Sequence, residues 1–108
     1  MAELIEIYAG ALKARLERGE EVFVLDVREP AEIALARFPG ATHIAMGEIP
    51  ARIGELDPKR ETVVVCHHGI RSAQVAMYLA RNGFERILNL AGGINAWSLE
   101  ADPAVPRY

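Results

Sequence analysis

The residues with most to offer chemically stand together in Val65-Cys66-His67-His68-Gly69-Ile70-Arg71-Ser72. Cys66 is the only cysteine in the 108-residue sequence, so its thiol is either a small buried hydrophobe or a reactive group. Three valines lead into it and a helix-like stretch follows, which puts the sulfur in a short loop between a strand and a helix. Backbone N–H groups of such a loop form an anion-binding nest when they point inward, and the helix N-terminus adds partial positive charge. Both favour thiolate, the nucleophilic form of the side chain. Arg71 would add a permanent cation with several donors, and its place near a helix N-terminus suits it to an anion-facing role. Gly69 gives the tight loop backbone angles that other residues resist. His67, His68 and Ile70 complete the wall, and Ser72 supports it at the start of the helix. The paired histidines also raise the question of a metal. Adjacent residues in a tight loop rarely converge on one ion, and a structural zinc wants four ligands with only His43 left to help, so no metal site is expected.

Positioning this loop requires strands alternating with helices, and the pattern supplies them. Leu4–Ile7 reads as a short first strand, Ala9–Arg18 as a helix stopped by Gly19, and Val22–Leu25 as a strand buried on both faces. Pro30 suits the first position of a short helix continuing over Ala31–Ala36. Pro39-Gly40 marks a turn, Ala41–Ile44 a weak strand, and Ile49–Leu56 a short helix ended by Asp57-Pro58. Thr62–Cys66 gives the strongest strand signal, Ser72–Asn82 the best helix, with Gly83 as its cap. Ile87–Leu90 is a further strand, Gly92-Gly93 a tight loop, and Ile94–Leu99 a last turn or two of helix. The tail with Pro103 and Pro106 is not regular structure. Such alternation implies an α/β fold with a parallel sheet, whose ligands bind beyond the carboxyl ends of the strands. That rule brings together Asp26–Glu29, Cys66–Arg71 and Leu90–Gly93. Asp26 and Arg28 thus end a buried strand beside the pocket, where holding the loops by hydrogen bonds is at least as good a role as touching substrate.

Composition narrows the classes. One domain spanning residues 1–108 is expected, and with 51% hydrophobic residues it can build a core without disulfides or metal. Twelve basic against fifteen acidic residues, net charge -3, with no basic cluster, argue against nucleic acid as a partner. The lone cysteine fits a reducing compartment. No signal-like pattern opens the sequence at Met1–Glu6 and no apolar run is long enough to span a membrane, so a cytoplasmic protein is expected. A monomer is the simplest expectation.

The loop resembles the active-site loop of the rhodanese-like sulfurtransferases, which opens with the catalytic cysteine, often ends in Arg or Thr, and leads into a helix. Leu25-Asp26-Val27-Arg28-Glu29-Pro30, Pro39-Gly40-Ala41-Thr42-His43-Ile44, Gly83-Phe84 and Asn89-Leu90-Ala91-Gly92-Gly93-Ile94-Asn95-Ala96-Trp97 resemble further motifs of that family, in order. The resemblance implies a parallel sheet of about five strands flanked by helices on both faces. It also implies a double displacement: Cys66 takes a sulfane sulfur from thiosulfate or a persulfide and passes it to a thiophilic acceptor, without a cofactor. The partners it implies are small-molecule donors and acceptors, or a protein carrying a persulfide. The histidines stand where some members carry cations, and an ordinary histidine is mostly neutral at pH 7, which weakens the pull on dianionic thiosulfate. Two other functions compete: a cysteine-dependent phosphatase or arsenate reductase, and a non-catalytic binding module of the same family. Four residues, His67 to Ile70, separate Cys66 from Arg71, one fewer than cysteine phosphatases use. The smaller ring suits a sulfur atom better than a phosphoryl group whose oxygens need donors all round. Inactive family members typically lose the cysteine, and this chain keeps it.

Overall fold

Valines 63 to 65 cannot be solvated on either side of a strand, and the whole fold is arranged to cover them. The computed structural model describes residues 4–108. Its strands are β1 (Glu6–Ile7), β2 (Phe23–Asp26), β3 (Thr42–His43), β4 (Thr62–Val65) and β5 (Ile87–Leu90). They form one sheet in the order β1-β5-β4-β2-β3, parallel throughout. The helices are α1 (Ala9–Glu17), α2 (Pro30–Leu35), α3 (Ile49–Arg52), α4 (Ile70–Arg81) and α5 (Gly93–Glu100).

Alternation along β4 splits the core in two. Val63 and Val65 pack with Leu12 of α1 and with Ile94 and Trp97 of α5. Val64 and Cys66 point the other way, into a second core with Ile49 of α3 and Val75, Ala76 and Leu79 of α4. Each buried valine contributes about 1.5–3 kcal/mol, so both layers are needed to hold the central strand. Parallel neighbours force helical crossovers, and the strand order reverses direction beside β4, the geometry that opens a crevice at the strands' carboxyl ends. The parallel five-stranded sheet with helices on both faces therefore holds as expected.

The differences are local and have local causes. Val22 precedes β2, which runs on to Asp26 because that residue pairs with Val65 and His43 on either side. The first strand shrinks to Glu6–Ile7, paired only with β5. The stretch 49–56 is not one helix: α3 ends at Arg52 and a 3-10 turn covers Ile53–Glu55, with another before it at Met46–Glu48. At the key loop, α4 starts at Ile70, two residues earlier than Ser72, because Gly69 takes φ 99° and turns the chain straight into the helix. Gly92 and Gly93 likewise cap and open α5 rather than forming a loop before it. After α5 the tail is irregular, as the prolines require, yet it returns to the body: Val105 is buried and its carbonyl accepts the Ser98 hydroxyl. Residues 1–3 of the stretch read for a targeting signal lie outside the described residues. No helix is long and apolar enough to cross a membrane among the described residues.

Candidate active site

Backbone direction, more than side-chain charge, makes the environment of Cys66. Its carbonyl accepts the amide of Ile94 at 2.9 Å, and the His67 carbonyl accepts that of Asn95 at 3.1 Å. The first turn of α5, whose amides have no partner within their own helix, thus pulls two loop carbonyls away from the sulfur. That docking needs contact so close that a Cβ on Gly93, itself at φ +61°, would sit 2.5 Å from both carbonyl oxygens. With the carbonyls held on one side, donors face Sγ on the other. Gly69 N–H reaches Sγ at 3.1 Å and the Ser72 hydroxyl donates to it at 3.2 Å. The sulfur sits at the floor of the loop, at the head of α4, with Cys66 only 1% exposed. A Cβ on Gly69 would meet the Gly92 amide at 3.2 Å and the Leu90 carbonyl at 3.3 Å, so this glycine serves both its turn and the approach of β5. Buried Asn89 of β5 ties the loop from the same side, its Nδ2 donating to the Gly69 carbonyl at 3.1 Å and to Glu6.

Asp26 and Arg28 form a buried pair behind the loop, 1% and 0% exposed. Arg28 Nη2 meets Asp26 at 2.7 Å, and Nε meets both carboxylate oxygens. The same guanidinium donates to the carbonyls of Ala36 and Glu32 at the end of α2, and to the Tyr108 hydroxyl at 3.0 Å. Burial opposes its charge, but the hydrogen bonds of Asp26 and Tyr108 outweigh it, and the Arg28 pKa is raised. His43 is bonded to the Arg28 carbonyl.

Arg71 lies in the first turn of α4, where its terminal nitrogens grip Glu32 of α2 at 2.6 and 2.8 Å. It is thus half of an ion pair rather than an open cation. Its hydrogen bonds to Glu32 chiefly raise the Arg71 pKa, with a lesser electrostatic contribution from Cys66. Hydrogen bonding from Arg71 in turn holds Glu32 down to about 2, against the cost of burial. His67 is stacked between His68 at 3.9 Å and Tyr108 at 3.8 Å, the latter nearly parallel at 9°. Burial, then the neighbouring His68, lowers its pKa and disfavours the charged imidazolium. Its buried Nε2 has no hydrogen-bond partner. His68 and Ile70 are exposed, Ile70 to 72%, and form the outer lip.

The Cys66 sulfur receives one amide and one hydroxyl at a strand-to-helix turn, an environment that suits a thiolate, and most of the chain has close parallels. The rhodanese-like domain family matches residues 8–100. This chain belongs to that family. YtwF of Bacillus subtilis is 43% identical over 101 residues, covering 94% of this chain and 97% of that protein. A protein of Allochromatium vinosum named sulfurtransferase is 42% identical over 100 residues, covering 93% and 94%. The crystal structure of a rhodanese-like domain protein from Staphylococcus aureus superposes with a TM-score of 0.85 at 31% identity, covering 97% of this chain and 99% of that one.

Around this candidate site the contacts made by Glu32 and Tyr108 were not foreseen from the sequence, which placed Asn89 in a family-like motif and Gly93 at the strand ends without their roles against the loop. Glu32 carried a partial signal, since Glu29-Pro30-Ala31-Glu32 reads as a helix start with an acid three residues on. Its pairing with Arg71, 39 residues away, left no local trace. Tyr108 follows a proline-rich tail that gives no hint of returning to the loop.

Proposed function

We propose that this protein is a sulfurtransferase that carries sulfane sulfur on Cys66, taking it from thiosulfate or a persulfide and passing it to a thiophilic acceptor. The observation that carries the reading is the Cys66 sulfur itself, receiving the Gly69 amide and the Ser72 hydroxyl at the head of α4. In the first half-reaction the Cys66 thiolate forms a bond to the donor's outer sulfur. The donor's S–S bond breaks, and its other half leaves with the electron pair, as sulfite from thiosulfate or as a thiolate from a persulfide. In the second half the acceptor attacks that outer sulfur and Cys66 leaves as thiolate. Negative charge shifts outward by one sulfur in the persulfide, at the head of α4, where the Gly69 amide already faces the sulfur and the helix N-terminus favours an anion. The name of the Allochromatium vinosum relative supports the same reaction class.

The spacing of the loop supports sulfur transfer over phosphoryl transfer, because Ile70 and Arg71 already belong to α4 and only three residues separate Cys66 from that helix. The test is mass spectrometry of protein incubated with each donor, followed by cyanide. The expected result is one added sulfur atom on the peptide containing Cys66, discharged by cyanide as thiocyanate and absent in Cys66→Ala. Wild-type turnover by folded Cys66→Ala, or Cys66-dependent hydrolysis of an aryl phosphate where no sulfur donor works, overturns the reading.

A further inference from the structure

The charged groups around the loop cancel. Arg28 is paired with Asp26, Arg71 with Glu32, and burial disfavours the charged form of His67. Glu32 is firmly built in rather than a chance surface partner. Its Oε1 accepts Arg71 Nη1 at 2.6 Å and the Glu29 amide at 3.2 Å, closing the capping box of α2. Oε2 accepts Arg71 Nη2 at 2.8 Å and the Tyr108 hydroxyl at 2.7 Å. Tyr108 is itself fixed by the Arg28 hydrogen bond and by stacking on His67. Arg71, the cation next to the pocket, therefore has both terminal nitrogens committed to a carboxylate that cannot swing away without breaking the α2 cap. An anionic donor approaching Cys66 meets backbone dipoles and an ion pair, not an open guanidinium.

Thiolate attack on thiosulfate brings an anion onto a dianion, whereas attack on an organic persulfide brings it onto a neutral or singly charged group. A pocket without net positive charge penalises the first far more than the second. We propose that Glu32 is a specificity-determining residue of this site, cancelling the Arg71 charge so that the pocket takes organic persulfides of low charge in preference to thiosulfate. The proposal rests on Cys66 being the sulfur carrier. In the preferred reaction the Cys66 thiolate bonds the terminal sulfur of R–S–S–H, the S–S bond breaks, and R–S⁻ leaves with the electron pair and takes up a proton from water.

The experiment compares kcat/KM for cysteine persulfide, whose ammonium and carboxylate cancel, and for thiosulfate at several ionic strengths, in the wild-type protein, in Glu32→Gln and in Glu32→Gln with Arg71→Gln. Wild type is expected to favour the persulfide, with a thiosulfate rate that hardly changes with salt. Glu32→Gln exposes Arg71 and raises the thiosulfate-to-persulfide ratio by roughly tenfold, the effect of one unit charge across several ångströms at an intermediate dielectric. The same variant gains a salt dependence, since the newly exposed cation is screened. Adding Arg71→Gln returns the ratio towards the wild-type value. A ratio unmoved by Glu32→Gln, or a wild type that favours thiosulfate and loses that preference steeply with salt, overturns the proposal. The wild-type salt series decides the matter even if the variant misfolds. Absence of sulfur on Cys66 from both donors overturns the sulfur-carrier reading itself, and is told apart by mass spectrometry before any ratio is taken.

Discussion

Cys66 gets its donors from two kinds of source, a backbone amide fixed by the turn and a single hydroxyl, and the two can be separated by substitution. Ser72→Ala removes the Ser72 hydrogen bond to Sγ and leaves the Gly69 amide in place. Hydrogen bonds to charged groups are worth about 1.5–3 kcal/mol, and a sulfur acceptor sits at the weak end. Alkylation of Cys66 by iodoacetamide at fixed pH is therefore expected to slow roughly tenfold in this variant, with the fold intact by circular dichroism. An unchanged alkylation rate would show the hydroxyl to be a bystander. The backbone contribution is tested at Gly93, where any Cβ would overlap the Cys66 and His67 carbonyls. Gly93→Ala is expected to cost well over 2 kcal/mol and to abolish sulfur loading, because the loop must lift off α5 to make room. Gly83→Ala is the matched control: φ there is +89° but nothing lies within 4 Å of the added methyl, so only the backbone cost of about 1–2 kcal/mol applies. Equal losses in the two variants, in urea midpoint and in sulfur loading, would remove the case for a close-contact role at Gly93.

At the level of elements, the buried Asp26–Arg28 pair joins the end of β2 to the end of α2 and so sets where Glu32 stands. A fully buried pair is weak evidence of net stabilisation, but losing one member leaves an uncompensated charge that costs about 3–5 kcal/mol. Asp26→Asn is accordingly expected to lower the melting temperature by about 15–30 °C. The double change Asp26→Leu with Arg28→Met is expected to cost less than Asp26→Asn alone, as apolar replacement of a whole pair often does. A double variant less stable than the single one would mean that the carbonyl contacts of Arg28, not its charge pairing, dominate. These elements also show what could be read from the sequence. The β4 valines, the α4 helix and the alternation of strands with helices along the chain were legible because burial on both faces and helical punctuation are local patterns. Cys66 with its loop was legible for the same reason, being one continuous segment. The helix start at Ile70 was not, because it depends on the left-handed turn at Gly69, and neither was the splitting of 49–56 into α3 and a 3-10 turn. Arg71 was placed beside the pocket by its position in the segment, but its pairing is a contact between α2 and α4. The return of Tyr108 to His67 is a tertiary contact over a still longer span and follows from no periodicity.

Seen across the whole molecule, Glu32, His67 and Tyr108, which meet behind the Cys66 loop, tie overall stability to pH in a defined sense. Glu32 in the fold titrates near 2, chiefly through its hydrogen bonds from Arg71, against an ordinary value of 4.5. A carboxylate with a depressed pKa binds fewer protons folded than unfolded, so its contribution is complete above pH 4.5 and is lost as pH falls towards 2. Allowing for partial exposure of the pair, the contribution is on the order of 2 kcal/mol. His67 acts in the same direction at milder pH: burial lowers its pKa, so stability begins to fall as pH drops below the ordinary value of 6.5. Tyr108 closes the other side. Burial is the main cause that raises its hydroxyl to about 12 from 10, so the folded state holds its proton longer, and stability is lost as pH rises through that interval. Urea midpoints measured from pH 3 to 11 are thus expected to form a plateau near neutrality with shoulders on both sides. Glu32→Gln flattens the acid limb below pH 4.5, and Tyr108→Phe flattens the alkaline limb while also weakening the hold on Glu32. Acid limbs of equal slope in wild type and Glu32→Gln would mean that the Arg71–Glu32 pair contributes nothing to the fold. Glu32 would then lie outside the framework that holds α2 against α4 behind the sulfur.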